Sequence, residues 1–526
     1  MNLKLERLIC VLLIFLISLV PAAYSSHSNT LKTFTVNESQ NTEYPWPMFL
    51  HDLEHTGYTE SPAPRMPTIL WNYTMGDTSW GPVVAYGKVF LGSVDKKVYA
   101  LDQMTGAKVW EFITGNSIRA SPVVANDKVF IGSTDGKVYA LDQSSGAKVW
   151  ESNIGAEIGS SPAIAEGKLY IGAVDGKVYA LDGGTGAKVW EYATGGAIIF
   201  SSPAIIGNLL FIGSCDGYLY ALDKNDGTKK WKAEISDGKW YFISSPAVSD
   251  HKVFIGSPAY NKTYAFDIYT GAKIWEFNIG GRIESSPAIA DGKVFISSIN
   301  GKVYALDQSS GAKVWESNIG KEAMFPLAIA DEMIITSSYN GKIYVLHKSN
   351  GSKFWNMTLG GTEDVGTYLA VADGKIYVVF GNTLYAVGNI PPEISEPWQD
   401  PMPDNVQPLQ NVTVWVNVTD YGTGIKNVTL WYSINNGTTW TPKNMTQIST
   451  NTFQATIPGY EYSALVTYKI IAYDNAGNNA TKDNFGYYYK YHVIPEYPLT
   501  LILVFIMATT LITTSILKIK KRRQFL

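Results

Sequence analysis

A period of about forty residues constrains what this chain can fold into more than any other feature. The tetrapeptide Tyr-Ala-Leu-Asp stands at 99–102, 139–142, 179–182, 220–223 and 304–307, with close variants at 264–267, 344–347 and 385–388. Tryptophans keep the same beat at Trp71, Trp110, Trp150, Trp190, Trp231, Trp275, Trp315 and Trp355, in steps of 39, 40, 40, 41, 44, 40 and 40. Residues 136–155 are identical to residues 301–320. A unit of this size cannot bury its apolar face alone, so successive units must stack into a continuous core.

Within one unit, residues 120–151 read as four short strands at 120–125, 128–133, 137–142 and 147–151. The turn pairs Asn126-Asp127, Asp135-Gly136 and Ser145-Gly146 separate them. Four antiparallel strands per period is the pattern of a propeller blade, not of a helical solenoid. The first Trp strand, around Trp71, precedes any complete unit, whereas the eighth unit ends at Val387 without a Trp strand of its own. The Trp71 strand is expected to fill that vacancy, so that the ring closes and no sheet edge is left open. The Asp-Gly pairs beginning at 135, 175 and 216 recur at one turn per unit and read as hairpin chemistry rather than as a calcium loop.

Composition narrows the function. Net charge is 42 − 46 = −4, with no basic run outside the C-terminus, so the electrostatic footprint of nucleic-acid binding is missing. The two cysteines are Cys10, in a segment expected to be removed, and Cys215, read as an inert thiol in a strand. Residues 1–25 have the layout of a signal peptide: Lys4 and Arg7, an apolar run from Leu8 to Val20, then a small-residue site near Ala23. Residues 499–517 carry no charge and as a helix span about 28 Å, enough to cross a bilayer. Lys518, Lys520, Lys521, Arg522 and Arg523 follow, which keeps the tail at 518–526 cytoplasmic and places the rest outside the cell. Asn-X-Ser/Thr sequons occur at Asn37, Asn72, Asn261, Asn350 and Asn356, and six more cluster at Asn411, Asn417, Asn427, Asn436, Asn444 and Asn479, suggesting a glycoprotein.

The segments 100–110, 140–150, 180–190 and 305–315, each running from Ala-Leu-Asp through a Gly to Lys-Val-Trp, resemble the tryptophan-docking motif of the pyrroloquinoline-quinone (PQQ) repeat propellers. The opening stretch Trp46-Pro-Met-Phe-Leu-His51-Asp52 is similar to the start of such chains. In physical terms the Asp carboxylate accepts from turn amides, the Gly supplies positive φ, and the Trp offers a flat surface to the neighbouring blade. The resemblance covers about 44–390 and implies either a quinone-dependent dehydrogenase or a noncatalytic binding scaffold of the outer-membrane-assembly type. The enzymes it resembles hold PQQ near the axis with a divalent cation, and many add a pair of adjacent cysteines; no such pair exists here. Units stay within 39 to 44 residues, leaving no insertion to wall a cofactor chamber. We therefore read the chain as no enzyme, without cofactor or metal, with a PQQ- and calcium-dependent oxidoreductase as the alternative. The pair His51 and His55 is not a zinc motif, since the order His-Glu-X-X-His is absent; an opening loop packed on the propeller is expected instead.

The connections from each Trp strand to the next unit vary most between units, and they define the candidate ligand face. They carry Trp80, Arg119, Phe200, Trp240, Tyr241, Phe242, Arg282, Glu284 and Phe325. Aromatics mixed with both charges suit recognition of a cell-surface protein or glycan. Residues 391–493 alternate in strand fashion at 411–418, 428–432 and 466–473, with about seven strands expected, and resemble immunoglobulin-like or fibronectin III-like modules of prokaryotic surface proteins. Pro495-Glu496-Tyr497-Pro498 resembles archaeal sorting signals, with Tyr in place of Phe. The expected protein is all-β: an eight-bladed PQQ-like propeller, then an immunoglobulin-like sandwich as stalk, then one transmembrane helix that anchors the ectodomain to the cell membrane.

Overall fold

In the computed structural model, the residues described are 42–493 except 66, 238–243, 321–324, 361–365, 390–391, 421–423, 462, 476–478 and 485, together with 507, 510, 511 and 513–515. The expected signal peptide and most of 499–517 lie outside them, as do Trp240, Tyr241 and Phe242. Among the described residues, no helix is long and apolar enough to cross a membrane.

Residues 58–388 form eight four-stranded antiparallel sheets, the seventh extended by the short parallel strand Tyr58–Thr59. The first sheet is built from Val83–Ala85, Lys88–Gly92, Lys97–Asp102 and Lys108–Ile113, and the next six follow the same plan. The inner strands of the first seven sheets are only three residues long, each with a proline shortly before it, and proline supplies no amide to a ladder; the eighth, Gly366–Ala372, has no such proline and runs to seven residues. Each inner strand neighbours the next, and Gly366–Ala372 of the eighth sheet neighbours Val83–Ala85 of the first, so the circle is closed. The eighth sheet takes its outermost strand from the front of the chain: Thr68–Thr74 pairs antiparallel with Thr383–Gly388, in the register Trp71 to Ala386. The vacancy after Val387 is filled as the repeat predicts.

The docking motif explains the period. Asp142 Oδ1 accepts from the amides of Ser144 and Ser145 at 3.1 and 2.8 Å and from both hydroxyls, which holds its pKa down at about 2. Gly146 follows at φ +72, and the Trp110 ring of the preceding sheet lies on it. A Cβ there would sit 2.6 Å from the indole. The Trp110 indole Nε1–H donates to the Gln143 carbonyl at 3.1 Å, and the same bond runs from Trp71 to Gln103, Trp150 to Gly183 and Trp315 to Lys348. Trp355, in the seventh sheet, meets no such turn in the eighth, whose outer strand comes from the front of the chain, and donates instead to the Pro64 carbonyl at 2.8 Å. Each blade is thus fastened to the next through a buried aromatic with its polar atom satisfied.

The Asp-Gly pairs are hairpin devices. Asp135 Oδ1 accepts from the Lys137 amide at 2.9 Å while Oδ2 takes the Tyr139 hydroxyl at 2.6 Å. Cys215 lies in the turn after Leu209–Ser214, not within the strand as expected, and burial pushes its pKa up to about 11.

Residues 393–492 form two five-stranded sheets around one core that includes Val414, Val416, Leu430, Phe453, Val466 and Ile470. They hold ten strands rather than about seven; the additions include Glu393–Ile394, Trp398–Asp400 and Thr446–Gln447, too short to show alternation in sequence. Asn436-Gly437 turns with both residues at positive φ.

Candidate functional site

Four of the connections leading into the inner strands are fixed, each at one point, by an apolar side chain. Ile118, Ile158, Ile198 and Ile283 are fully buried and press on Gly92, Gly132, Gly172 and Gly256, where a Cβ would come within 2.5 Å of the isoleucine. Beyond that lock, three of the sequence-derived residues meet. Trp80 stacks on Phe200 with ring centroids 5.3 Å apart, and both Trp80 and Phe325 reach the ring of Tyr368 at 5.8 Å. Arg282 Nε lies 2.7 Å from Glu284 Oε1. Burial raises the Tyr368 pKa, and the nearby Glu284 charge adds to it. Arg119 stands exposed on a connection of its own.

Sequence reading missed Tyr368, although the repeat marks its place. The residue before the inner-strand proline is Ser121, Ser161, Ser202, Ser245 and Ser286 in five successive units, and each of the first four donates its amide to the next serine's hydroxyl at 2.9–3.0 Å. By strand register Pro326 and Tyr368 stand at the same step in the last two units, so one aromatic replaces a hydroxyl in a ring of otherwise small residues, and Phe325 stands one step earlier, level with Ser285.

The opening segment 46–59 was expected to pack on the propeller, and it does so along the inner strands. Trp46 exchanges two backbone hydrogen bonds with Val84 at 2.8 Å. Further on, the carbonyls of Pro47, Leu53, Glu54, Thr56 and Gly57 accept in turn from Val124, Ile205, Val248, Ile289 and Ile329, at 2.7–2.8 Å. The segment therefore winds round the axis, touching six of the eight inner strands through its backbone alone. Phe49 meets the Tyr368 ring edge-on at 5.1 Å, and the space left between Phe49, Leu50, Pro82, Ser121, Pro326 and Tyr368 is ≈ 10 Å³, room for about one water. On its far side the segment frames an open cavity of ≈ 420 Å³ lined by Glu43, Tyr44, His51, Asp52, Tyr58 and Glu60.

His51 and His55 serve different partners. His51 pairs with Asp52 at 3.4 Å, whereas buried His55 donates its Nδ1 hydrogen to the Pro246 carbonyl at 3.0 Å. Burial drives the His55 pKa down to about 4, so it stays neutral in the fold while the unfolded chain takes up a proton near 6.5. Between those values the unfolded state binds more protons, and stability falls as pH falls, by about 3 kcal/mol in all. Chemical denaturation of the wild type at pH 7 and pH 4.5 is expected to show that loss, and His55→Gln to flatten it. The turn carboxylates, with Asp142 and Asp307 at about 2, act in a separate window: their contribution is present above about 4 and is lost as pH drops toward 2.

A closed circle of four-stranded sheets, each docked on the next by a tryptophan, defines a PQQ-type β-propeller. The family model described as outer membrane protein assembly factor BamB matches residues 64–151, 94–257 and 216–388, and the chain belongs to that family. No curated protein matches the chain. Among solved structures, BamB from Moraxella catarrhalis is 20% identical with a TM-score of 0.51, covering 61% of this chain and 97% of that one. Quinohemoprotein alcohol dehydrogenase from Comamonas testosteroni is 15% identical with a TM-score of 0.57, covering 70% and 82%. The computationally designed Ika8 protein is 17% identical with a TM-score of 0.53, covering 60% and 98%. At these identities the likenesses establish the fold alone.

Proposed function

We propose that this chain is a noncatalytic surface module: an eight-bladed propeller at 44–390 that binds a cell-surface protein or glycan, raised on an immunoglobulin-like sandwich at 391–493 and anchored by one helix at 499–517. The observation that carries the reading is the close packing of the opening segment on the inner strands. The residues packed there, Phe49, Leu50, Pro82, Pro326 and Tyr368, are apolar or uncharged, and the space among them is ≈ 10 Å³. They do not fit PQQ, a planar tricarboxylate that would need both room and cationic partners. The quinoprotein alternative draws support from the likeness to the alcohol dehydrogenase fold.

The ligand face in this reading is the end of the ring where Trp80, Phe200 and Phe325 gather around Tyr368, with the Arg282 and Glu284 pair, exposed Arg119, and, on the longest connection in sequence, Trp240, Tyr241 and Phe242. Partly exposed aromatics and arginine are the side chains that dominate interface energetics. Immobilised protein is expected to capture its partner from an extract of the native cell surface. Arg119→Glu should weaken capture at least tenfold with the melting temperature unchanged, and Trp80→Ala should cost about 2 kcal/mol of binding or more. Equal capture by both variants and the wild type would remove this face from consideration.

A further inference from the structure

In five of the eight sheets the residue after the docking Trp is a glutamate held between two lysines. Glu111 lies 3.0 Å from Lys97 and 2.8 Å from Lys108, and the same triad recurs at Glu151, Glu191, Glu276 and Glu316. The fourth sheet substitutes Lys232, whose ammonium lies 3.7 Å over the Tyr218 ring. The two remaining sheets, the seventh and eighth, are neighbours in the circle and carry Asn356 and Asn72 at this step. Two residues on, these same two strands hold Thr358 and Thr74, where the other six have Ile113, Asn153, Ala193, Glu234, Asn278 and Asn318. Of the twenty-eight ways to place two threonines among eight strands, this is the one that completes Asn-X-Thr in both.

The geometry suits the tripeptide. Residues i and i+2 of a strand point to one face, and Asn72, Thr74, Asn356 and Thr358 are all exposed on outermost strands. No described residue forms a hydrogen bond with either asparagine amide. Asn261 makes a contrast inside the same ring: its sequon partner Thr263 is fully buried. We propose that Asn72 and Asn356 are N-glycosylated, so that the ring carries sugar on the two sheets that meet at its closure. The proposal rests on the export of the chain argued above. In the transfer, the amide Nδ2 bonds to the anomeric carbon of an oligosaccharide donated by a lipid-phosphate carrier. The bond from that carbon to the carrier oxygen breaks, the amide proton passes to the transferase, and the carrier leaves as its phosphate. The sugar would cover outer strand edges that otherwise invite pairing with another chain.

Glycopeptide mass spectrometry of the full chain purified from its native membranes tests this. Peptides containing Asn72 and Asn356 are expected to carry an oligosaccharide mass, to lose it in Thr74→Ala and Thr358→Ala respectively, and the Asn261 peptide is expected to be bare. Bare Asn72 and Asn356 beside occupied sites in 411–479 would overturn the inference and leave export standing. Bare asparagines throughout would overturn the inference too, while a chain left whole by protease added to intact cells would overturn export.

Discussion

Deleting residues 68–74 is expected to abolish cooperative unfolding of the ring. The strand supplies the whole outer edge of the eighth sheet, six register pairs with Thr383–Gly388, and the Trp71 indole that docks on Gly106 of the first sheet. Its loss opens the circle at one seam, exposes the apolar face of the last sheet and leaves an unpaired edge. The single change Trp71→Ala keeps the backbone pairing but removes the buried ring, at a cost of about 3–5 kcal/mol. Calorimetry should find no propeller transition in the deletion and a lowered one in Trp71→Ala. An unchanged melting profile in the deletion would mean that the ring is closed by other contacts.

Two glycines with similar backbone angles should respond very differently to alanine. Gly146 has φ +72 and lies under Trp110, so a Cβ must collide with the indole at 2.6 Å; Gly155 has φ +83 and open space around its Cα. Both pay the left-handed cost of about 1–2 kcal/mol. Only Gly146→Ala also pushes a Cβ into a docking Trp, and that overpacking adds about 1–3 kcal/mol to the expected loss. Matched urea titrations of the two variants check the difference, and equal losses would show that the Trp–Gly contact does not hold adjacent sheets together.

Much of this fold is legible before any coordinates because one solution is written eight times. The Trp beat, the Asp-Gly turns and the missing eighth Trp strand together specify the sheets and their closure. The rest escapes for physical reasons. The opening segment bonds to Val84, Val124, Ile205, Val248, Ile289 and Ile329 through backbone groups, which leave no side-chain signature. The isoleucine locks on Gly92, Gly132, Gly172 and Gly256 join residues whose types are common in any strand-rich chain. Tyr368 hides because its unit has lost the Ser-Pro that marks the inner strand elsewhere. Of the candidate face, the meeting of Trp80, Phe200 and Phe325 follows from the period, in which Trp80 and Phe325 share one step and Phe200 stands one step before it. That Tyr368 joins them does not.

The central claim, that this propeller binds a partner and performs no redox chemistry, stands or falls on one experiment. The full chain, solubilised from membranes, is incubated with PQQ and calcium, separated from free quinone, and assayed by absorbance and by dye-linked alcohol oxidation. The close packing of Phe49 and Leu50 against Pro82, Pro326 and Tyr368 predicts no retained quinone absorbance and no dye reduction above the blank. Stoichiometric retention of PQQ together with turnover would contradict the claim and make the chain a surface oxidoreductase.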